Sequence, residues 1–331
     1  QVGSNTDLIF DGGSMIVKPN GDIYDMLNFF DEDYKVFELS EIINSAYKNE
    51  IIKPAIERIH DALVLGIKDY FVKLGLTKAV VGLSGGIDSA VVTVLAVKAL
   101  GKENVRVLLM PSKYSSSHSI DDAVALANNL KIKYDIIPIQ PIVDQIRETL
   151  NPLFEGKKED ITEENIQARV RGVLLMAVSN KFGNLLLNTS NKSEISVGYG
   201  TLYGDMNGAL SVLGDVYKTD IYKLAYFINK EEEIIPHNIL IKAPSAELRP
   251  NQKDTDSLPE YELLDNILFR LIEQQRSLEE IVADGFDKNT ILKVYKMLNS
   301  CEYKRFQAPP VLKISSKAFG HGRKMPIVAR Y

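Results

Sequence analysis

The chain has 331 residues, 45% of them hydrophobic, and a formal net charge of −5, enough for one large or two ordinary domains with real cores and too apolar for a disordered chain. Lysine and arginine are spread along it, so nucleic acid is not an expected partner. The longest apolar runs, such as VVTVLAV, reach about a third of a bilayer span and no cationic leader opens the chain, so no membrane association and a soluble, cytoplasmic protein are expected.

The single cysteine, Cys301, excludes an internal disulfide and any zinc site built on several thiolates. The four histidines (His60, His118, His237, His321) lack ligand spacing.

In chain order, the first forty residues read as strands. LIFDGGSMIVKPNGDIYDML alternates, and Asn20-Gly21 predicts a hairpin turn between two short apolar runs. Two strands alone bury too little surface, so this segment is expected to pack on something else. From about Glu41 the period becomes helical: Ile51, Ile52, Ala55, Ile56, Ile59, Leu63, Ile67 and Phe71 recur at three- and four-residue steps, predicting one long amphipathic helix. Short apolar runs then alternate with helices: KAVVGL, a Gly-rich turn, a helix over 88–100 stopped by Gly101, VRVLLM, a helix from about 120, and YDIIPI. This alternation predicts an α/β fold with a doubly wound parallel sheet. The charge run EGKKEDITEEN is expected as a solvated loop before a helix over about 162–182 and the strand NLLLN. Beyond Asp205 the pattern predicts a helix over about 219–229, a polar, Pro-rich stretch APSAELRPNQKDTDSLP, two or three helices and a basic tail.

The strongest chemical signal is Gly82-Leu83-Ser84-Gly85-Gly86-Ile87-Asp88-Ser89, between an apolar strand and an apolar helix. Its small residues permit a tight turn whose N–H groups, with the helix dipole behind them, make an anion cradle. No Gly-Lys-Ser/Thr follows and GxGxxG is absent, so it is neither a Walker loop nor a dinucleotide fingerprint. An acid beside phosphates is repulsive unless a divalent cation bridges it, so Asp88 implies Mg²⁺. The plainer alternative is a Gly-Ser turn with Asp88 as a helix N-cap. In ENIQARVRG (164–172), Asn165 and Arg169 stand at i, i+4 and share one helix face, for a ligand or simply for a surface ion pair. NTSNKSE follows a buried strand directly, where a parallel sheet places its ligands.

The cradle resembles the pyrophosphatase loop of the N-type ATP pyrophosphatase superfamily (adenine nucleotide alpha hydrolase-like fold), which breaks ATP between the α and β phosphates. The superfamily includes synthetases for NAD, GMP, asparagine and argininosuccinate and several tRNA-thiolating enzymes, and the loop alone does not choose among them. ENIQARVRG, NTSNKSE and SVGYGTLYGDMNGALSVLGDVYKT (196–219) resemble the glutamine-dependent NAD synthetases. That resemblance implies ATP contacts at Gly82, Leu83, Ser84, Gly85, Gly86, Ile87, Asp88, Ser89, Thr189, Lys218 and Ser245. It implies deamido-NAD contacts at Asn165, Arg169, Glu194, Tyr199, Gly200, Thr201, Leu202 and Lys304, and Asp88 with Glu194 as the protein ligands of Mg²⁺. Asp205 matches an acid near the reacting amide and Lys218 the lysine on the ATP phosphates; these are the implied catalytic pair. The implied reaction is ATP-dependent amidation of deamido-NAD through an acyl-adenylate, releasing AMP and pyrophosphate.

FDGGSMIVKPNGDI looks like the last strands of a nitrilase-type amidase domain, which in this family hydrolyses glutamine with a Cys-Glu-Lys triad. Residues 1–40 are therefore expected to be the remnant of a glutaminase domain and 41–331 the synthetase domain, with helical C-terminal additions. Cys301 lies in the wrong part of the chain to be the nucleophile, so the chain is expected to use ammonia. The family, the long helix and the hairpin suggest a homodimer or higher oligomer. Two other readings stay open: a sister enzyme such as a GMP synthetase core, which would share the loop but not the later motifs, and a non-catalytic adenine-nucleotide sensor, which needs neither two metal acids nor Asp205.

Overall fold

The computed structural model describes residues 1–5, 8–44, 53–320 and 322–327. The N-terminal segment forms two antiparallel hairpins, β1 (Val2–Asn5) with β2 (Leu8–Asp11) and β3 (Met15–Val17) with β4 (Ile23–Met26). The second closes at the predicted Asn20-Gly21 turn, where Lys18 N–H donates to Asp22 O at 2.8 Å and Asp22 N–H donates to Asn20 Oδ1 at 3.1 Å. α1 (Leu39–Asn44) follows, then α2 (Ala55–Lys73). The first hairpin packs on α2, as its own small area requires: Ser4 N–H donates to Asp69 Oδ2 at 2.6 Å and Lys73 Nζ to Ser4 O at 2.6 Å.

The single long helix expected from Glu41 is corrected. α2 starts only after Pro54, whose ψ of 146° is extended, and a residue preceding proline is itself disfavoured in the α region. Ile51 and Ile52 lie outside the described residues.

The sheet is built by β5 (Ala79–Gly82), α3 (Ile87–Leu100), β6 (Val105–Leu109), α4 (Ser117–Asn129), β7 (Lys133–Ile136), α5 (Gln140–Leu150), α6 (Ile161–Phe182), β8 (Leu185–Asn188), α7 (Lys192–Val197) and β9 (Leu210–Ser211). Its five strands are all parallel in the order β7-β6-β5-β8-β9, the doubly wound arrangement expected. The chain runs outward from β5 to β7, then returns to β8 on the other side. The topological switch point therefore falls between the carboxyl ends of β5 and β8, where such sheets bind ligands.

α3 is largely apolar because it is buried from Ser89 to Ala96. Val91, Val92, Val94 and Leu95 are fully buried between the sheet, α2 and α8 (Lys218–Ile228). On the other face α5 and α6 cover Val80, Leu108 and Leu186. The first part of the charge run is an exposed loop as expected, but from Ile161 the run is already helix and Thr162 to Asn165 are half-buried; Asp160 supplies the capping box of α6, its N–H donating to Glu163 Oε2 at 2.8 Å while Thr162 N–H donates to Asp160 Oδ1 at 2.7 Å. The rest of the chain adds α9 (His237–Ile241), α10 (Tyr261–Ile272), α11 (Leu278–Ala283), α12 (Lys288–Ser300) and α13 (Glu302–Arg305). α10, α11 and α12 pack with α7 in a separate cluster around Leu264, Ile267, Val294 and Leu298. After the Pro-rich stretch there are thus four helices where two or three were expected, and α5 and β9 were not anticipated. Among the described residues no helix is long and apolar enough to cross a membrane.

Candidate functional site

β5 ends at Gly82, and the turn that follows is tied by its own serines. Ser84 N–H donates to Ser89 Oγ at 3.2 Å, Ser89 Oγ donates to Gly86 O at 3.0 Å, and Gly86 N–H donates to Ser84 Oγ at 3.2 Å. Gly85 takes φ +79°, and a Cβ on it would sit 2.2 Å from the Ser119 carbonyl oxygen at the start of α4. Both the dihedral and the contact demand glycine. Gly85→Ala is therefore expected to displace the cradle and weaken ATP binding by about a hundredfold or more, on the scale of several lost anion contacts, with circular dichroism little changed. Calorimetric titration with ATP measures it, and native-like affinity would show that the turn does not hold phosphate.

At the Asp88 end of the cradle, three acids surround one lysine. Lys218, the first residue of α8 and only 3% exposed, pairs with Asp88 Oδ2 and lies 4.0 Å from Glu194 Oε1. Asn191 Nδ2 donates to Asp88 Oδ1 at 2.9 Å, and Asn191 and Glu194 form the capping box of α7. Asp254 completes the group, accepting from the hydroxyls of Tyr199 (3.2 Å) and Tyr261 (2.9 Å). Burial, followed by the charge of Asp88, pushes the Glu194 carboxyl well above the usual carboxylate range. Burial alone would lower Lys218, but Asp88 and Glu194 outweigh it and raise its affinity for a proton. Three carboxyl groups crowd around one ammonium, and the raised proton affinity of Glu194 and Asp254 is the cost of burial and of that crowding; a divalent cation beside them would favour their ionised forms. Among the described residues no three or more His, Cys, Asp or Glu side chains gather to hold a metal alone; Asp88 and Glu194 are the pair that could share one with phosphate oxygens.

Two adjoining clefts open over the switch point. Every residue expected to meet ATP lines the first: Gly82 through Ser89, Thr189, Lys218 and Ser245. Those expected to meet the dinucleotide line the second: Asn165, Arg169, Tyr199, Gly200, Thr201, Leu202 and Lys304. Glu194 is the exception, since it faces the first cleft with Asp88. Tyr199 and Asp205 line both clefts and mark where they meet.

The second cleft is held by its own expected binders. Thr201 Oγ1 donates to Asn165 Oδ1 at 2.8 Å, Arg169 Nε donates to Leu202 O at 3.2 Å, and Lys304 Nζ donates to Gly198 O at 2.8 Å and Gly200 O at 2.7 Å. Together they fix the loop over 198–202. Asp205 Oδ1 accepts from Thr201 N–H at 2.6 Å, and Asn188 Nδ2 donates to Asp205 O at 2.8 Å. The residue is exposed where the clefts meet, yet the protein packed around its carboxyl disfavours the charged form and raises its pKa.

The family model for NAD synthase matches residues 59–308. The chain belongs to the NAD synthase family. It is 50% identical over 335 residues to a glutamine-dependent NAD(+) synthetase of Synechocystis sp., covering 100% of this chain and 60% of that protein. The structure of a glutamine-dependent NAD+ synthetase from Acinetobacter baumannii in complex with ADP is 40% identical, with a TM-score of 0.71 over 99% of this chain and 60% of that one. An NMN synthetase from Francisella tularensis is 26% identical, with a TM-score of 0.66 over 80% of this chain and 98% of that one. The chain thus spans about three fifths of the length of the curated relatives it matches.

Membership of this family leaves several residues in and behind the cleft walls that the sequence reading missed. Asn191 was readable, because Asn with Glu three residues on is a capping-box signal and places Asn191 beside Asp88. Arg171 stands two positions after Arg169 and so on another side of α6; it enters the first cleft, where its Nε donates to Met110 O at 3.0 Å. Burial pulls its guanidinium down to about 10, so it stays charged at neutral pH. Asp254 sits in a polar stretch with no local pattern to single it out, and only the fold brings it to Tyr199.

Proposed function

We propose that this chain is the synthetase part of a glutamine-dependent NAD synthetase, a C–N ligase that amidates deamido-NAD with ATP. The observation that carries this is the meeting of the two clefts at Tyr199 and Asp205. A carboxylate held in the second cleft can then face the α-phosphorus of ATP held in the first. The pyridine carboxylate is a poor electrophile because its leaving group would be oxide, so activation must come first. One carboxylate oxygen attacks the α-phosphorus in line; the bond from that phosphorus to the β-phosphate oxygen breaks, and pyrophosphate leaves into the cradle. Lys218 and the cradle N–H groups meet the charge that develops on the leaving group. Ammonia then adds to the acyl carbon, and the bond to AMP breaks. Asp205, at the junction, orients the incoming nitrogen and takes its proton. Asp88 and Glu194 would hold Mg²⁺, which when bound would neutralise phosphate charge.

The direct test is product analysis. Sustained release of AMP and pyrophosphate is expected only when ATP, deamido-NAD and ammonium are all present, with no more than about one pyrophosphate per site when ammonium is left out, and an adenine-nucleotide sensor would release neither. A likeness to an NMN synthetase makes the corresponding mononucleotide the competing substrate. The second cleft, with Asn165, Arg169 and Lys304 spread along it, supports the dinucleotide, so kcat/KM is expected to favour deamido-NAD by at least about tenfold; the reverse preference would reassign the substrate.

We read residues 1–40 as part of a glutaminase domain and 41–331 as the synthetase domain. Within this chain Cys301 is not a nucleophile for glutamine. It is buried, its Sγ donates to Ser196 O at 3.2 Å, Arg305 Nη1 donates to it at 2.7 Å, and burial pushes the thiol up. Ammonium is therefore expected to support synthesis by this chain and glutamine not to. Release of glutamate at a rate matching NAD formation would overturn this.

A further inference from the structure

One wall of the first cleft carries a contact that opposes the ligand assigned to it. Gly85 packs against the first turn of α4, so that turn faces the cradle directly. From the other side comes the segment after α9, with Lys242 and Glu247. Ser84, Gly85, Ser119, Lys242 and Glu247 all line the same cleft.

Lys242, the hydroxyls of Ser116 and Ser119 and the Ser116 N–H are all donors, suited to phosphate oxygen. Here they converge on a carboxylate. Glu247 Oε1 accepts from Lys242 Nζ at 2.6 Å, Ser119 Oγ at 2.8 Å and Ser116 Oγ at 3.1 Å, while Oε2 accepts from Ser116 N–H at 3.4 Å. Glu247 also adopts a left-handed backbone, φ +49°, uncommon for a residue with a side chain. Its N–H donates to Ser245 Oγ at 3.2 Å.

We propose that the Glu247 carboxylate is an internal competitor for the outer phosphates of ATP. It holds Lys242 and Ser119, both of which line the cleft, until a polyphosphate takes them over. This rests on the assignment of the first cleft to ATP. A carboxylate has no proton to offer a phosphate and repels it, so the two cannot share these donors. When ATP binds, Glu247 withdraws and Lys242 transfers to the β- or γ-phosphate; when pyrophosphate leaves, Glu247 returns and helps expel it. The ligand class is a pyrophosphate or triphosphate group. A nucleoside monophosphate reaches the cleft without touching this wall.

The test is calorimetric titration of the chain with ATP, pyrophosphate and AMP in the absence of deamido-NAD, so that no turnover occurs. Glu247→Gln keeps the shape and removes the charge. It is expected to bind ATP and pyrophosphate about tenfold tighter, the scale of one like charge removed from close range, with AMP affinity unchanged. Lys242→Met is expected to weaken ATP and pyrophosphate binding, and adding Glu247→Gln to it should recover part of the loss, because the charge that opposes phosphate and holds Ser119 is then gone. Equal or weaker ATP binding by Glu247→Gln would overturn the proposal and make Glu247 a structural or cation-bridging acid. So would tightening of AMP by the same factor. If the unaltered chain bound neither ATP nor AMP, the assignment of the cleft to ATP would fall and this proposal with it.

Discussion

Asp88→Asn is expected to abolish exchange of labelled pyrophosphate into ATP, a loss of about a thousandfold or more, with little change in melting temperature. Asp88 accepts from Asn191 and pairs with Lys218. Asn keeps the shape and one acceptor but removes the charge that a cation among phosphates requires, and transition-state charge contacts of this kind are worth about a hundred- to a thousandfold each. Removing one partner of a buried ion pair usually costs about 3–5 kcal/mol. Here the cost should be well below that range, because Glu194 stays 4.0 Å from Lys218 and loses the neighbouring charge that raised its pKa. Glu194 would then ionise more readily and take over the pairing. Thermal melting and the exchange assay, run on the same preparation, separate the two effects. Normal turnover by the Asn variant at ordinary magnesium would remove Asp88 from the metal site.

The centre of the sheet was legible because β5 and β8 and most of β6 are buried and so largely apolar, whereas β7 at the edge is mostly exposed; α3 was legible because all but its ends are buried. What escaped reading was set by position rather than composition. The helical periodicity before Pro54 hid the break that the proline imposes. α5 was missed because Pro141 follows an apolar strand closely, although proline is welcome in a first turn. β9 has two residues, and only its pairing with β8 makes it a strand. In the site, the cradle was readable locally, since Gly85 must be glycine for a reason internal to the turn. Asn165, Arg169 and Lys304 came from resemblance, and the structure gives them a job no local pattern could show, that of fixing the loop over 198–202. Asp254 and Glu247 come from a polar stretch that reads as an ordinary loop. Their roles depend on partners far along the chain, Tyr199 for one and Ser116 and Ser119 for the other.

Asp205→Asn is expected to separate the two half-reactions. Adenylation needs the cradle, Lys218 and the acids around it, all in the first cleft, whereas Asp205 stands at the junction, where the activated carbonyl would meet ammonia. The Asn variant should still exchange labelled pyrophosphate into ATP when deamido-NAD is present, while amide formation slows by about a hundredfold or more, the usual scale for a lost general base. Lys218→Ala should depress the exchange itself. Thr201 N–H donates to Asp205 Oδ1 at 2.6 Å, and an Asn oxygen can accept that bond, so the loop should survive. The pH dependence gives a second reading. The protein packed around the Asp205 carboxyl raises it above its ordinary range, and the base must be ionised to accept a proton. Amidation by the unaltered chain should therefore fall, as pH drops, at a higher pH than an ordinary carboxylate would dictate, while exchange lacks that limb. The Asn variant should lose the limb along with the rate. Equal loss of exchange and amidation in Asp205→Asn would place the residue in substrate binding or the first step, and the two-stage division of the site would have to be withdrawn.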